Sequence, residues 1–190
     1  MAFLKRKTSQ QYRFNQQFAC GKWDGLKDLA ELGRYSIIVG FAGYFCKRAR
    51  ILDLGCGEGI LQEKFAPTDY SYYLGVDFSE VAIDHAQKRA DARTEFRVGD
   101  LNKLVIDGQF DVIIYNESLN YLGHPKEAVL KLFKNLSTGG VFIFSLVDKH
   151  GKEQTGLWQQ LDSILELQER NKVTNLAGHS WTVQVYKVKA

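Results

Sequence analysis

The sequence has few of the residues from which disulfide frameworks, metal clusters or membrane spans are built. It contains three cysteines among 190 residues, an odd number without metal-ligand spacing, which favours reduced thiols in a cytoplasmic protein. Its four histidines are scattered, so no His/Cys set indicates a metal. The longest apolar run, 37–46, contains two glycines, is too short to span a bilayer and does not lie where a signal peptide would. We therefore expect a cytoplasmic protein without a metal or a membrane partner.

The charges are also too evenly balanced to indicate a nucleic-acid partner. The 25 basic and 22 acidic residues leave a net charge of +3, and the basic cluster Lys5-Arg6-Lys7 is more typical of a solvated terminus. Hydrophobic residues make up 45% of the chain, which argues against disorder and, at this length, predicts one domain over residues 1–190.

A glycine-rich turn after a buried strand organises the rest of the chain. Residues 51–54 are apolar apart from Asp53, as a central parallel strand requires, and Gly55, Gly57 and Gly59 follow at alternate positions. Glycine lets the backbone turn sharply and lets a ligand approach the main chain closely. A helix that begins there would also point free N–H groups at an anionic ligand. A tight strand-to-helix turn without a ligand is the alternative interpretation.

Strand and helix patterns alternate beyond this turn, which predicts an α/β fold with a Rossmann-like, doubly wound sheet and helices on both faces. Five buried parallel strands are predicted at 51–54, 72–77, 96–98, 110–115 and 141–147. An antiparallel C-terminal hairpin, with strands near Val173 and over 181–186 and a turn at Gly178, completes a seven-stranded sheet. Helices are predicted over 24–32, 34–46 and 60–65, after Ser79, from Pro125 to a stop at Gly139-Gly140, and around 157–165.

Polar residues follow the predicted strands at the edge where an open sheet binds its ligands. Asp77 ends the second strand, 22 residues beyond Gly55, where a carboxylate can accept two hydrogen bonds from ribose hydroxyls. Asp100 follows the third strand and could accept a hydrogen bond from an adenine amino group. The polar cluster 116–122 follows the fourth strand, and there we expect the chemistry.

These motifs together resemble those of the class I S-adenosylmethionine (SAM) methyltransferases. The turn has the form Asp-x-Gly-x-Gly-x-Gly over 53–59, and Ile60 stands where the dinucleotide fingerprint G-x-G-x-x-G would need its third glycine. With Asp77, Gly99-Asp100 and the cluster after strand four, the motifs stand in that family's order over residues 50–190.

A looser resemblance includes the N-terminal part of the chain. The stretches 18–24, Gly33-Arg34-Tyr35 and 116–121 are similar to bacterial methyltransferases of small metabolites and sugars, with the nodulation-type amino-sugar N-methyltransferases as one relative. This resemblance implies a methyl transfer from SAM to an oxygen or nitrogen atom of a small-molecule acceptor.

The resemblance also implies a role for each matching residue in binding SAM. Asp53 would contact the SAM amino group, and Gly55, Cys56 and Gly57 would line its methionine part. Asp77 would hold the ribose hydroxyls. The further implied contacts are Phe78 beside the adenine, Asp100 and Leu101 at its amino edge and face, and Tyr115 and Asn116 near the sulfonium.

Glu117 and Tyr121 are the candidate catalytic residues. They lie four residues apart and would share a face if a helical turn starts there, with Glu117 as base or orienting group and Tyr121 holding the acceptor. The alternative is that Glu117 caps the turn and Tyr121 packs beside Trp23. His150, after the fifth strand, is the third candidate.

The aromatic residues in the N-terminal segment, 1–46, predict packing against the sheet more strongly than a lid over the cofactor. Two other functions stay open beside methyl transfer: a SAM-binding module without catalysis, and, less favoured, a NAD-dependent oxidoreductase, which would need a glycine at residue 60. The sequence leaves open the acceptor's identity and whether the chain forms a homodimer.

Overall fold

The computed structural model describes residues 9–67, 69–148 and 152–189, so the basic cluster at 5–7 and His150 lie outside the described residues. Seven strands form one sheet: β1 (Ala49–Leu54), β2 (Tyr70–Asp77), β3 (Thr94–Val98), β4 (Phe110–Asn116), β5 (Leu136–Val147), β6 (Leu165–Thr174) and β7 (Ser180–Val188).

The strand order is β3-β2-β1-β4-β5-β7-β6. The first five strands pair in parallel, whereas β7 runs antiparallel to β5 and to β6. The predicted doubly wound sheet with a C-terminal antiparallel hairpin is therefore confirmed.

Helices cover both faces of the sheet because its central strands are apolar on both sides. The helices are α1 (Ser9–Ala19), α2 (Leu29–Phe45), α3 (Glu80–Gln87), α4 (Pro125–Lys131) and α5 (Thr155–Asp162). Successive strand residues point to opposite faces, so Ile51 packs with α2 and α3 while Leu52 packs with α4 and α5. None of the helices described is long and apolar enough to cross a membrane.

Helix α1 lies outside these two layers, against α3. Phe14 and Phe18 form a small apolar cluster with Ala82 of α3. Two hydrogen bonds add to this packing: the Gln11 side chain donates to the carbonyl of Phe78 over 2.9 Å, and the Ser79 hydroxyl donates to the Asn15 side chain over 2.7 Å. This arrangement holds α1 beside the carboxyl ends of the strands.

The strand order reverses between β1 and β4, and the segments that follow these two strands meet there. The Ser118 hydroxyl donates a hydrogen bond to the carbonyl of Leu54, the last residue of β1. Gly55 has φ +81°, and a Cβ atom added to it would lie 2.3 Å from Cβ of Ser118. Glycine is therefore required twice at this position, for its backbone angle and for the close approach of Ser118.

Three of the predicted helices differ from those in the structure. The predicted helix 24–32 is a 3-10 turn, Asp24–Lys27, after which extended backbone at Asp28 interrupts the helix before α2 begins. The predicted helix 60–65 is reduced to a 3-10 turn at Gln62–Lys64. Gly139-Gly140 does not end a helix but lies inside β5, which begins at Leu136.

We expect Gly55→Ala to lower the free energy of unfolding by about 2 kcal/mol or more, because a side chain there meets both the left-handed backbone and Ser118. Gly43→Ala is the matched control, since Gly43 lies in α2 with nothing within 4 Å of its added Cβ, and alanine should be neutral or slightly stabilising. Urea unfolding of both variants measures the difference. Equal stabilities would contradict the assigned crowding.

Candidate active site

A cavity of about 400 Å³ opens at the carboxyl ends of the parallel strands, beside the glycine turn. Its walls come from the ends of β1, β2, β3 and β4, the start of β7, and the helices α1 and α2. This is the edge at which an open α/β sheet binds ligands. Most of the predicted cofactor residues line it, namely Asp53, Gly55, Cys56, Gly57, Asp77, Phe78, Asp100, Leu101 and Asn116.

Asp53 brings a buried carboxyl group to the floor of this cavity. Only 1% of the residue is exposed, and its Oδ2 accepts a hydrogen bond of 2.6 Å from the Tyr73 hydroxyl. Its Oδ1 has no hydrogen-bond partner among the described residues. Burial raises the pKa of this carboxyl to about 7. A cationic group bound in the cavity would satisfy the free oxygen and favour the ionised form.

Asp77 ties the second strand to the glycine turn. Its carboxylate accepts a hydrogen bond from the backbone N–H of Gly57 at 3.0 Å and another from that of Ser79 at 2.8 Å. Burial nonetheless raises the pKa of Asp77 to about 6. Each carboxylate oxygen can accept a second hydrogen bond, so the group retains capacity for ligand hydroxyls.

Cys56 does not have the surroundings of a nucleophile. Burial and the neighbouring Asp53 and Asp77 carboxylates raise the pKa of its thiol well above the ordinary value. Its sulfur lies against Gly75 of β2, where an added Cβ would be 2.9 Å away. These surroundings keep the thiol in its neutral form within the turn.

Asp100 ends the wall formed by β3. Its Oδ1 accepts hydrogen bonds from the backbone N–H and the side-chain amide of Asn102, at 3.0 and 3.1 Å. Leu101 and Asn102 line the cavity beside it, and Phe78 approaches from the end of β2. These residues form a slot of mixed apolar and polar character.

Glu117 occupies a strained backbone position directly after β4. Its φ is +58°, one of two positive values at non-glycine residues in the described chain. Its carboxylate accepts hydrogen bonds from the Ser145 hydroxyl at 3.0 Å and from the backbone N–H of Val147 at 2.8 Å. Burial raises the pKa of Glu117 to about 7. Strained, buried polar residues of this kind concentrate at functional sites.

The predicted helical turn that would align Glu117 with Tyr121 is absent. The 3-10 turn is confined to Leu119–Tyr121, and Glu117 lies ahead of it in a left-handed conformation. The Tyr121 ring packs edge-on against Phe14 at 5.4 Å between centroids, and not against Trp23. Glu117 and Tyr121 nevertheless both line the cavity.

Tyr115 is not where the prediction had it. Its ring is buried in the opposite layer of the sheet, stacked on Phe144 at 5.6 Å, and it does not line the cavity. The reason is strand alternation: in β4, Ile114 packs toward α2 and α3, so Tyr115 faces α4 and α5.

Arg34, a fully buried arginine of α2, lines the cavity although no motif predicted a role for it there. The guanidinium donates to the Glu31 carboxylate at 2.9 Å, to the Asn116 side-chain oxygen at 2.6 Å and to the Tyr35 hydroxyl at 3.0 Å. It also lies 5.7 Å from the ring centre of Trp181, at the start of β7. The available signal was that Glu31 and Arg34 are the two charged residues of a largely apolar helix, because an arginine buried there needs partners.

Lys27 and Glu58 connect the N-terminal part of the chain to the glycine turn. The lysine ammonium lies 2.8 Å from the buried Glu58 carboxylate, whose other oxygen is 2.5 Å from Nδ1 of His85 on α3. Trp23, four residues before Lys27, lines the cavity, and its indole N–H is buried without a described partner.

The described groups of Cys, His, Asp and Glu include no cluster that could hold a metal ion.

The raised pKa of Asp53 makes the stability of the ligand-free protein depend on pH in a defined direction. Below about pH 4 this carboxyl is protonated in the folded and in the unfolded protein, so its full contribution to stability is present there. That contribution is lost as the pH rises through about 7, the pKa in the folded protein. In Asp53→Asn the amide oxygen can still accept the hydrogen bond from Tyr73, but the side chain no longer titrates. We therefore expect the free energy of unfolding of the variant, relative to that of the wild type, to increase by at least about 1 kcal/mol from pH 5 to pH 8. Urea unfolding at both pH values measures this gain, and parallel pH dependences would contradict the assignment.

The chain belongs to the methyltransferase domain family, whose model matches residues 46–188. The match runs from just before β1 to the last residue of β7, so it includes the whole sheet and the glycine turn. The resemblance to the class I SAM-dependent methyltransferases is therefore confirmed at the level of the family.

Two groups of curated relatives illustrate the match. The chain is 32% identical to a malonyl-[acyl-carrier protein] O-methyltransferase of Bacillus cytotoxicus over 143 residues, which are 73% of this chain and 50% of the relative. It is 31% identical to a ubiquinone biosynthesis O-methyltransferase of Coxiella burnetii over 110 residues, 56% of this chain and 47% of the relative. The chain spans about half the length of these curated relatives.

Solved structures match the fold over nearly the whole chain. The N-methyltransferase NodS from Bradyrhizobium japonicum WM9, in complex with S-adenosyl-L-homocysteine, has a TM-score of 0.82 at 18% identity and covers 95% of this chain and 99% of its own. Magnesium protoporphyrin IX methyltransferase from Synechocystis PCC 6803, with bound SAM, has a TM-score of 0.74 at 15% identity, with coverages of 98% and 100%. At such low identity these structures show the fold alone.

Proposed function

We propose that this methyltransferase holds SAM in the cavity at the strand ends and methylates an oxygen or nitrogen atom of a small-molecule acceptor. The observation that carries the proposal is the unpartnered Oδ1 of Asp53, buried at the glycine turn. A buried carboxylate oxygen without a partner is costly unless a ligand satisfies it, and the ammonium group of SAM would do so.

The methionine end of SAM would be held by opposite charges. Asp53 would bind its ammonium group, while the guanidinium of Arg34 and the free indole N–H of Trp23 would bind its carboxylate. The backbone of Gly55 and Gly57 leaves room beside these groups because neither residue carries a side chain. An α-amino acid group matches this set of one acceptor and two donors.

The nucleoside would extend along the ends of β2 and β3. Asp77 retains a free lone pair on each oxygen and would accept hydrogen bonds from the two ribose hydroxyls. Phe78 and Leu101 would contact the adenine ring from its sides. Asp100 would accept from the adenine amino group, as the resemblance implies.

When bound, SAM supplies an electrophilic methyl group on a positively charged sulfur. The protein's part is mainly to align the acceptor with that methyl group and to keep water away, which can contribute about 7–11 kcal/mol to lowering the barrier. Asn116, Glu117 and Tyr121 line the cavity beside the turn and are the residues we propose to orient the acceptor. Phe14 and Phe18 of α1 would exclude water from above.

The character of the cavity supports a small acceptor. Its volume of about 400 Å³ and its lining, in which aromatic and aliphatic residues alternate with polar and charged ones, suit a small molecule. The curated relatives are named for different acceptors, a malonyl group on acyl-carrier protein and an intermediate of ubiquinone biosynthesis, so their names do not select one.

Release of S-adenosylhomocysteine from SAM, followed over a library of small hydroxyl and amine compounds, tests this function. We expect release with at least one acceptor class and tight binding of SAM but not of NAD. A protein that binds NAD in preference to SAM would contradict the proposal. SAM binding without release for any acceptor would instead favour a binding module.

Asp77→Asn should weaken the binding of S-adenosylhomocysteine by roughly tenfold or more, because a charge-assisted acceptor contributes about 1.5–3 kcal/mol. The asparagine keeps the shape and one acceptor oxygen for the turn. Asp84→Asn is the matched control, since Asp84 is an exposed residue of α3 outside the cavity. Titration calorimetry measures both affinities, and an unchanged affinity of the Asp77 variant would defeat the ribose assignment.

The N-terminal segment from Gln10 to Trp23 should become more protected when the ligand binds. Its residues Gln10, Phe14, Phe18 and Trp23 line the cavity while α1 packs on α3, so the segment combines packing with the position of a lid. Hydrogen exchange with and without S-adenosylhomocysteine measures this, with helix α4 as the internal control. Unchanged exchange over the segment would mean that it only packs.

A further inference from the structure

The proposed function leaves the acceptor's chemical class open, and the part of the cavity beyond the nucleoside groups bears on it. Asp53, Asp77 and Asp100 lie at the ends of β1, β2 and β3. The remaining wall is built at the ends of β4 and β5 and the start of β7, where Glu117, Val147 and Trp181 line the cavity. We call this wall the acceptor end.

The acceptor end contains more negative than positive charge. Glu31 and Arg34 of α2 border this wall and form an ion pair of 2.9 Å, so the guanidinium proposed to hold the SAM carboxylate already has a carboxylate partner. Glu117 has no cation within ion-pair distance among the residues that the structure describes. With Glu117 ionised, these three side chains carry a net charge of −1.

The hydrogen bonds of Glu117 nevertheless leave its carboxylate able to bind a ligand. It accepts one hydrogen bond at each oxygen, from the Ser145 hydroxyl and the Val147 N–H, which leaves one lone pair on each oxygen for a ligand. Glu117 lines the cavity and keeps a strained φ of +58° there. Such a group is stabilised as a carboxylate when a cation binds beside it.

The aromatic rings around Glu117 also favour a positively charged ligand. Trp181 and Tyr121 line the acceptor end, and indole and phenol rings attract cations through their electron-rich faces. A carboxylate acceptor would instead place a second negative charge beside Glu117. A neutral alcohol would leave the charge of Glu117 without an offset.

We propose that the acceptor is an amine, which enters as an ammonium ion and is held by Glu117 among the rings of Trp181 and Tyr121. This inference rests on the proposed function. The ammonium proton passes to the Glu117 carboxylate, and the freed nitrogen lone pair forms the bond to the methyl carbon. The carbon–sulfur bond breaks as that bond forms, and its electron pair stays on sulfur. The protonated Glu117 then returns its proton to solvent.

Binding of matched probes to the chain saturated with S-adenosylhomocysteine tests the inference. The probes are benzylamine, benzyl alcohol and benzoate, which share one ring and differ in the charge of the group attached to it. We expect benzylamine to bind roughly tenfold tighter than benzyl alcohol, because only its ammonium group carries a charge opposite to that of Glu117. Benzoate should bind weakest, because its charge repels that of Glu117. Equal affinities, or a preference for the alcohol or benzoate, would overturn the proposal.

Variants assign the preference to Glu117. Glu117→Gln and Glu117→Asn remove the charge, and asparagine also tolerates the left-handed backbone, so one of them should fold even if the other does not. Both should lose the preference for benzylamine. Glu127→Gln, an exposed residue of α4 outside the cavity, should keep it. A preference that survives both Glu117 variants would contradict the assignment.

Titration with S-adenosylhomocysteine alone, done first on each protein, separates the two proposals. A wild-type chain that fails to bind it contradicts the proposed function. A chain that binds it and shows no preference for the amine contradicts only the inference about the acceptor.

Discussion

The close approach of the segments after β1 and β4 is the constraint on which the rest of the site depends. Gly55 and Ser118 lie so close that no side chain fits at residue 55. The Ser118 hydroxyl also donates a hydrogen bond to the carbonyl of Leu54 at the end of β1. This contact lies where the strand order reverses, and Asp53 of β1 and Glu117, which follows β4, line one cavity beside it. A side chain at residue 55 would push these two segments apart.

The site holds its carboxyl groups in surroundings that disfavour their charge. Burial raises the pKa of Asp53 and Glu117 to about 7 and that of Asp77 to about 6. Among the described residues, none of these carboxylates has a cation within ion-pair distance, although the Arg34 charge partly opposes the rise in the pKa of Glu117. The same arrangement lowers the stability of the ligand-free protein near neutral pH, which is the usual relation between a prepared site and stability.

The parts of the fold and site that could be predicted depend on residues close together in sequence. The Asp53 to Gly59 motif and the alternating hairpin around Gly178 each have a period or spacing that one segment sets alone, so the sheet could be derived. Asp77 and Asp100 could be expected at the edge because parallel strands end at the same side of a sheet. The failures were also local: Gly139-Gly140 is typical of a helix stop, yet β5 includes both residues. Tyr115 was assigned from the family resemblance, and strand alternation places its ring in the opposite layer.

The sequence by itself determined the class of fold, the position of the glycine turn and the identity of the strand-end carboxylates, because hydrophobic period and glycine spacing act within one segment. Only the tertiary structure decided which distant side chains share the cavity. Arg34 reaches Asn116 across 82 residues of sequence, and Trp181 approaches the same guanidinium from the last strand. Glu117, with its left-handed backbone, is likewise held by hydrogen bonds from Ser145 and Val147 of β5. Such contacts depend on how the layers meet, and no local pattern encodes that geometry.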